Sequence, residues 1–167
     1  MCSFDVVSLF TNIPLDETLQ MCVNAMNSGD YDIQSSINSD TMTKLLELCS
    51  KESVFMFEGK MYQQKDGVAM GSPLGPLLAN IFLCCSEVRW LDDCPISFKP
   101  LYYRRYVDDT FVLFRKPEHA SEFLTYLNSC HPNIRFTCDR ENQGTLSFLD
   151  VLVANRDCFT TSVYRKP

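Results

Sequence analysis

The sequence predicts an α+β protein in which an antiparallel sheet carries helices on one of its faces. Two observations predict this fold class. Runs of strand-forming residues alternate with helix-periodic segments along the chain, and several of these runs are separated by turns short enough for hairpins. The 167 residues contain neither an internal repeat nor a low-complexity linker, so we expect one domain over residues 1–167.

Local signals predict where the helices begin and end. Pro14 and Pro117 stand where helices can start, because a proline in the first turn gives up no intrahelical hydrogen bond. Asp40 is expected to cap a second helix, and Ser28-Gly29 to end the first. In chain order, the predicted elements are a strand at 4–7, a turn at 11–14, helices over 14–28 and 40–49, a hairpin of 54–57 and 61–63, a helix over 74–90, strands at 102–106 and 110–114, a helix from 117 that ends before 132, and strands at 134–138, 146–153 and 159–164.

The charge and the apolar pattern restrict the partners of this chain. Its net charge of −6 argues against a surface that binds nucleic acid by itself, because Lys and Arg supply much of such affinity by neutralising phosphates. No apolar run approaches the ~20 residues that cross a membrane, and the first residues lack the basic and apolar segments of a signal peptide. We therefore expect an intracellular protein, nuclear or cytoplasmic, with no membrane partner.

The nine cysteines do not have the spacing of zinc ligands, since no Cys-x-x-Cys occurs. Cys22, Cys49, Cys84 and Cys138 fall at apolar positions of predicted helices and strands. We interpret them as small buried hydrophobic residues in a reducing compartment.

Two adjacent acids, Asp108 and Asp109, lie between two runs of strand formers. A hairpin turn there would place both carboxylates at its tip, where they repel each other unless cations compensate. A solvated turn is the better interpretation of the dipeptide alone, since Asp favours turns. Asp92-Asp93, at the end of a predicted helix, receives that plainer interpretation.

A third acid, Asp5, favours a metal site. It interrupts the apolar run 4–7, where an unpaired charge is costly. If this strand lies beside the Asp108-Asp109 hairpin, three carboxylates converge, and such hard oxygen ligands suit Mg²⁺. Two Mg²⁺ ions, or Mn²⁺ in their place, could then promote an in-line displacement by a hydroxyl group.

A glycine-rich block, GVAMGSPLGPLLANI at 67–81, joins a loop to the start of a predicted helix. Glycines let the backbone approach a ligand closely, and a helix that begins near Pro73 would direct free N–H groups towards a nucleotide or a template strand. A connector without any ligand is the alternative, because glycine loops are common.

These blocks resemble three motifs of reverse transcriptases in the same order along the chain. The resemblance is closest to the Penelope-like retroelement group, through SFDVVSLFTNIP at 3–14, MGSPLGP at 70–76, SFLD at 147–150 and VYRKP at 163–167. It covers essentially the whole chain and implies a palm-type antiparallel sheet with helices packed on one face. The implied activity is RNA-directed DNA polymerisation, in which a dNTP is added to the 3′ hydroxyl of a DNA primer on an RNA template.

The resemblance also implies roles for the acidic residues. Asp5 and Asp108 would be metal ligands together with the Val6 carbonyl, and Asp109 would complete the catalytic acidic cluster around two Mg²⁺ ions. Phe10 would be the aromatic side chain that crowds the sugar 2′ position and so selects deoxynucleotides. A core aromatic is the alternative for Phe10.

The glycine-rich block has implied roles as well. Gly71, Ser72 and Pro73 would contact the incoming nucleotide and the template. Met70 precedes them at a position where many reverse transcriptases carry glutamine, and methionine is usual in the Penelope-like group. This exchange removes a hydrogen-bonding side chain near the nucleotide.

The resemblance further implies fingers before Asp5 and a thumb after Pro167, often with a nuclease domain, so fingers and thumb should be largely absent from these residues. Basic, phosphate-binding segments outside the chain would account for its acidic charge. We expect the isolated chain to fold marginally at best and to show little polymerase activity.

Two other functions agree with parts of the sequence. A nucleotidyl cyclase can use paired acids on a similar sheet, and turnover of NTP without primer and template would identify it. A catalytically inactive retroelement fragment, or an interaction module derived from one, is the non-enzymatic alternative. Stop codons in the flanking genomic sequence would favour this alternative.

Overall fold

The computed structural model describes residues 1–28, 37–52, 54–69, 71–156 and 158–165. The chain divides into two compact units, one of residues 1–7 with 90–167 and one of residues 8–89. In chain order the elements are β1 Cys2–Val6, α1 Leu9–Asn12, α2 Leu15–Asn27, α3 Ser39–Lys51, β2 Val54–Phe57, β3 Lys60–Gln63, α4 Gly75–Asp93, β4 Tyr102–Tyr106, β5 Asp109–Leu113, α5 His119–Cys130, β6 Phe136–Arg140, β7 Thr145–Phe148, β8 Val151–Asn155 and β9 Phe159–Val163.

The main sheet of the first unit has the strand order β4-β5-β1-β6, and each neighbouring pair is antiparallel. β1 therefore pairs on both sides, although it is the first strand of the chain. Its even-numbered residues Cys2, Phe4 and Val6 are buried, as expected for a strand with period-2 alternation. The predicted α+β architecture with antiparallel pairing is confirmed.

Helix α5 covers the buried face of this sheet. Ala120, Phe123 and Leu127 recur at helical spacing and are all buried, which gives the helix one apolar stripe. The Phe123 ring meets the Phe4 ring edge-on at a centroid distance of 5.7 Å, and a second ring, Phe114, at 5.5 Å. This aromatic cluster fixes the helix to the centre of the sheet.

A second sheet of the same unit has the order β7-β8-β9, again antiparallel. The sequence predicted one strand over 146–153, which is wrong. Phe148 pairs directly with Val151, so Leu149 and Asp150 form a two-residue turn within that segment. Leu149 has a φ of 53°, a conformation that a leucine rarely adopts.

The second unit contains α1, α2, α3, most of α4 and the β2-β3 hairpin. The predicted hairpin is confirmed, with Glu58-Gly59 between the strands. The predicted cap of α3 is wrong, because the Asn38 side chain accepts the Thr41 N–H at 2.8 Å and Asp40 lies in the first turn. The Ser28-Gly29 stop agrees with α2 ending at Asn27, although Gly29 and the stretch that follows it to 36 lie outside the described residues.

Two further expectations are corrected. Part of the predicted turn 11–14 belongs to the short helix α1. Cys22 is buried as predicted, whereas Cys49 and Cys84 are exposed and Cys138 is half-buried, because their helices and strands present these positions at the margin of the core. In the part of the chain that the structure describes, no helix is long and apolar enough to cross a membrane.

Replacing Phe123 with alanine should lower the free energy of unfolding by about 3–5 kcal/mol, because it leaves a cavity among fully buried rings. Phe57→Ala is the matched control, since Phe57 is 59% exposed and its loss should cost no more than about 1 kcal/mol. Urea unfolding of the two variants measures the difference. Equal losses would contradict the assignment of the core to the α5 face.

Candidate active site

The pairing of β1 with β5 brings Asp5 and Asp109 together, because they are direct cross-strand partners. The Val6 N–H donates to the Asp108 carbonyl oxygen at 3.2 Å. This bond flanks the Asp5–Asp109 pair, which makes the pair a non-hydrogen-bonded one. In such pairs the two side chains leave the sheet on the same face, with Cβ atoms about 4.5–5.5 Å apart.

The third acid, Asp108, lies in the turn between β4 and β5. Tyr106 pairs with Asp109, so Val107 and Asp108 are the two residues of the loop. The sequence placed both adjacent acids at the tip of the hairpin, which is corrected here: Asp109 begins β5, and only Asp108 lies in the turn. Asp5, Asp108 and Asp109 thus lie at the same end of the neighbouring strands β1 and β5. We call this end of the sheet the acidic edge.

This turn has an unusual backbone. Val107, the first residue of the two-residue loop, has a φ of 56°, and a positive φ at this position is usual in two-residue hairpins. Glycine normally occupies the first loop position, and a left-handed conformation costs an L-residue about 1–2 kcal/mol. A β-branched residue there is an outlier, and such outliers cluster at functional sites.

The two faces of the main sheet differ in chemistry. One face buries Phe4, Val6 and Thr110, whereas the register places Asp5 and Asp109 on the other. Asp5 is exposed, and Asp108 and Asp109 are half-buried. Like charges directly opposite each other on a sheet repel each other.

An open, largely apolar groove of about 460 Å³ lies on the same face as the carboxylates. Tyr102 and Phe111 of the main sheet line one side of it, and Phe148 and Phe159 of the second sheet line the other. Phe111 and Phe148 meet edge-on at 5.6 Å. The face that carries the acids is therefore concave and aromatic along β4 and β5.

The donor set of the acidic edge suits a hard divalent cation. Three carboxylates and neighbouring main-chain carbonyls are the oxygen ligands that Mg²⁺ and Mn²⁺ take in proteins. Among the described residues, no three His, Cys, Asp or Glu side chains are already gathered around one point that could hold a metal ion. The strand register and the turn, and not a preformed metal cluster, therefore account for the positions of the three acids.

The glycine-rich loop and Phe10 meet in the other unit. The Val68 N–H donates to the Phe10 carbonyl oxygen at 2.7 Å. Gly67 has a φ of 71°, and a Cβ at this position would lie 2.5 Å from the Thr11 carbonyl oxygen, so only glycine fits. A Cβ on Gly75 would lie 3.8 Å from a ring carbon of Phe10, which places this half-buried ring against the loop.

The rest of the loop leads into α4. The Ser72 N–H donates to the Ala69 carbonyl at 3.0 Å, and the Gly75 N–H donates to the Ser72 carbonyl at 3.0 Å. Gly71 has a φ of 88° and open space where a side chain would lie, and Pro73 is exposed. Met70 lies outside the described residues. Phe10 and the loop belong to residues 8–89, and the three aspartates belong to the other unit.

One residue of this region had no signal in the sequence. The Arg105 guanidinium donates from Nη1 to the Val107 carbonyl oxygen at 2.9 Å. An arginine in a strand next to an Asp-Asp pair would ordinarily be interpreted as a solvated charge. Strand periodicity alone does not predict this contact with the turn backbone.

The family model described as reverse transcriptase (RNA-dependent DNA polymerase) matches residues 1–141. Apo telomerase from Candida tropicalis, truncated from its C-terminal domain, is similar in structure, with a TM-score of 0.69 and 11% identity over 97% of this chain and 35% of that one. Telomerase from Candida albicans, in complex with a TWJ fragment of telomeric RNA, is also similar, with a TM-score of 0.68 and 11% identity over 98% of this chain and 31% of that one.

The chain therefore spans about a third of the length of these two solved structures. At 11% identity the likeness is one of fold. No curated protein matches the sequence.

Gly67→Ala should destabilise the second unit by more than about 2 kcal/mol, because it adds a backbone clash to the cost of a positive φ. Gly59→Ala is the control: Gly59 has a similar φ of 74° but open space around it, so about 1 kcal/mol is expected. Thermal unfolding of both variants checks the prediction. A Gly67→Ala variant as stable as Gly59→Ala would contradict the close approach to Thr11.

Asp5→Asn should raise the free energy of unfolding by about 0.5 kcal/mol in the presence of a chelator, because it removes one of two opposed like charges. Asp139→Asn is the control, since Asp139 lies opposite the uncharged Ser3 and its replacement changes the net charge equally. Urea titrations of the two variants give the comparison. If both variants shift alike, the overall charge and not the cross-strand pair determines the effect.

Proposed function

The chain belongs to the reverse transcriptase family, and from that premise we propose that it is the catalytic palm of an RNA-directed DNA polymerase. The observation that carries the proposal is the cross-strand pairing of Asp5 with Asp109, beside a turn that holds Asp108. Two carboxylates directly opposite each other repel, and a bound cation would relieve that repulsion. The acidic edge is a suitable place to bind the cations of a nucleotidyl transfer.

Asp5, Asp108 and Asp109 would hold two Mg²⁺ ions, with the Val6 carbonyl as a further ligand, and Mn²⁺ could replace them. When bound, such a pair of ions lowers the barrier to attack by the primer 3′ hydroxyl and stabilises the departing pyrophosphate. The half-burial of Asp108 and Asp109 strengthens their attraction for a cation relative to fully exposed carboxylates.

The second unit would supply the selection of the nucleotide. Phe10 would crowd the 2′ position of the incoming sugar and so favour dNTP. The Phe10 carbonyl accepts a hydrogen bond from Val68, and the Phe10 ring lies beside Gly75. Both contacts support a common role for Phe10 and the loop. Gly71, Ser72 and Pro73 would face the nucleotide and the template, and Met70 would adjoin them.

The proposed partners are an RNA template, a DNA primer and dNTP. The family supports a nucleic-acid template, and one of the similar structures contains telomeric RNA. The net charge of −6 supports assigning most phosphate contacts to basic segments of a longer polypeptide. The motifs at 3–14, 70–76, 147–150 and 163–167 support membership of the Penelope-like group and a retrotransposon as the source.

Asp108→Asn, in a polypeptide that includes the flanking fingers and thumb, should reduce primer extension on an RNA template at least about a hundredfold, because one metal ligand loses its charge. Asp92→Asn, an exposed acid at the end of α4, is the matched control and should retain activity. Incorporation of labelled dNTP at saturating Mg²⁺ measures both. Near-normal synthesis by the Asp108 variant would refute the proposed site.

A further inference from the structure

The turn that presents Asp108 is held by its two carbonyl groups. The Asp108 carbonyl accepts the Val6 N–H of β1, and the Val107 carbonyl accepts the Arg105 guanidinium. The first hydrogen bond joins two backbone groups, so it does not depend on the identity of a side chain. The second hydrogen bond requires the Arg105 side chain.

Arg105 reaches this carbonyl from the face opposite to the carboxylates. It pairs with Thr110, which is fully buried, whereas Tyr106 pairs with Asp109. Successive residues of a strand leave the sheet on opposite faces. The arginine can therefore hold the turn without occupying the face where a cation and a nucleotide would bind.

A charged donor is suited to this task. Val107 has a left-handed φ of 56° that valine avoids, so the turn needs a compensating interaction to remain in this form. Hydrogen bonds from a charged group are stronger than those between neutral groups. The turn at Leu149-Asp150 also has two residues and a positive φ at the first of them, so it provides an internal reference.

We propose that Arg105 is a positioning residue of the polymerase site: it keeps Val107 in the left-handed conformation and so keeps Asp108 beside Asp5 and Asp109. The metal-binding part of this inference rests on the proposed function. The effect on the turn itself does not. Arg105 is assigned no contact with metal, nucleotide or primer.

The first test is a metal-free one on the 167-residue chain. Arg105→Met should move or broaden the amide NMR signals of Val107 and Asp108 and change the Val107 HN–Hα coupling, which reports φ. The signals of Leu149 and Asp150 should stay in place. Unchanged Val107 and Asp108 signals would overturn the inference, whether or not the chain binds a metal.

The second test is a double-mutant cycle read by Mn²⁺ binding, followed by electron paramagnetic resonance of the free ion. Arg105→Met should weaken Mn²⁺ binding about tenfold, whereas Val107→Gly should preserve it, because glycine adopts a positive φ without help. In the Val107→Gly background, Arg105→Met should then cost less than about threefold. Leu149→Gly is the matched control and should leave binding unchanged.

The outcomes separate the two proposals. Equal losses in the valine and glycine backgrounds would overturn the inference, because Arg105 would then affect Mn²⁺ binding by a route that does not depend on the conformation of Val107. A wild-type chain that binds no Mn²⁺ would count against the proposed metal site, while the NMR comparison would still decide the role of Arg105.

Discussion

The candidate site depends on one constraint, the register between β1 and β5. A slip of one residue would move Asp5 to the buried face and Phe4 to the open one, since side chains alternate along a strand. Phe4 is fully buried against Phe123, and this packing opposes such a slip. The aromatic core thereby determines which carboxylate stands opposite Asp109.

The same register explains why the site lies at the end of the sheet. β1 pairs on both sides, so its backbone is fixed up to Val6, and the chain then leaves the sheet at Ser8 with a φ of 49°. On the neighbouring strand the two-residue turn ends at Asp108, and β5 begins at Asp109. The acids therefore lie where β1 ends and β5 begins, a position that combines defined placement with access from solvent.

Much of this arrangement could be predicted from the sequence, because apolar runs and short polar gaps determine antiparallel hairpins. The exact turns could not. Leu149 carries a positive φ in a segment that was predicted as one continuous strand. Val107 carries one beside a turn that was predicted one residue later, and aliphatic residues normally avoid that conformation. The Arg105 contact with the Val107 carbonyl could not be predicted either.

Two unfavourable features meet at this edge, the opposed charges of Asp5 and Asp109 and the left-handed Val107. Each costs on the order of 1 kcal/mol, a large part of the net stability of a small unit. Neither improves packing, and both place carboxylate oxygens on an open face. A cation would relieve the first cost, whereas the second persists with or without it. Stabilisation of the turn then falls to the chain itself, and the hydrogen bond from Arg105 to the Val107 carbonyl is the contact proposed for it.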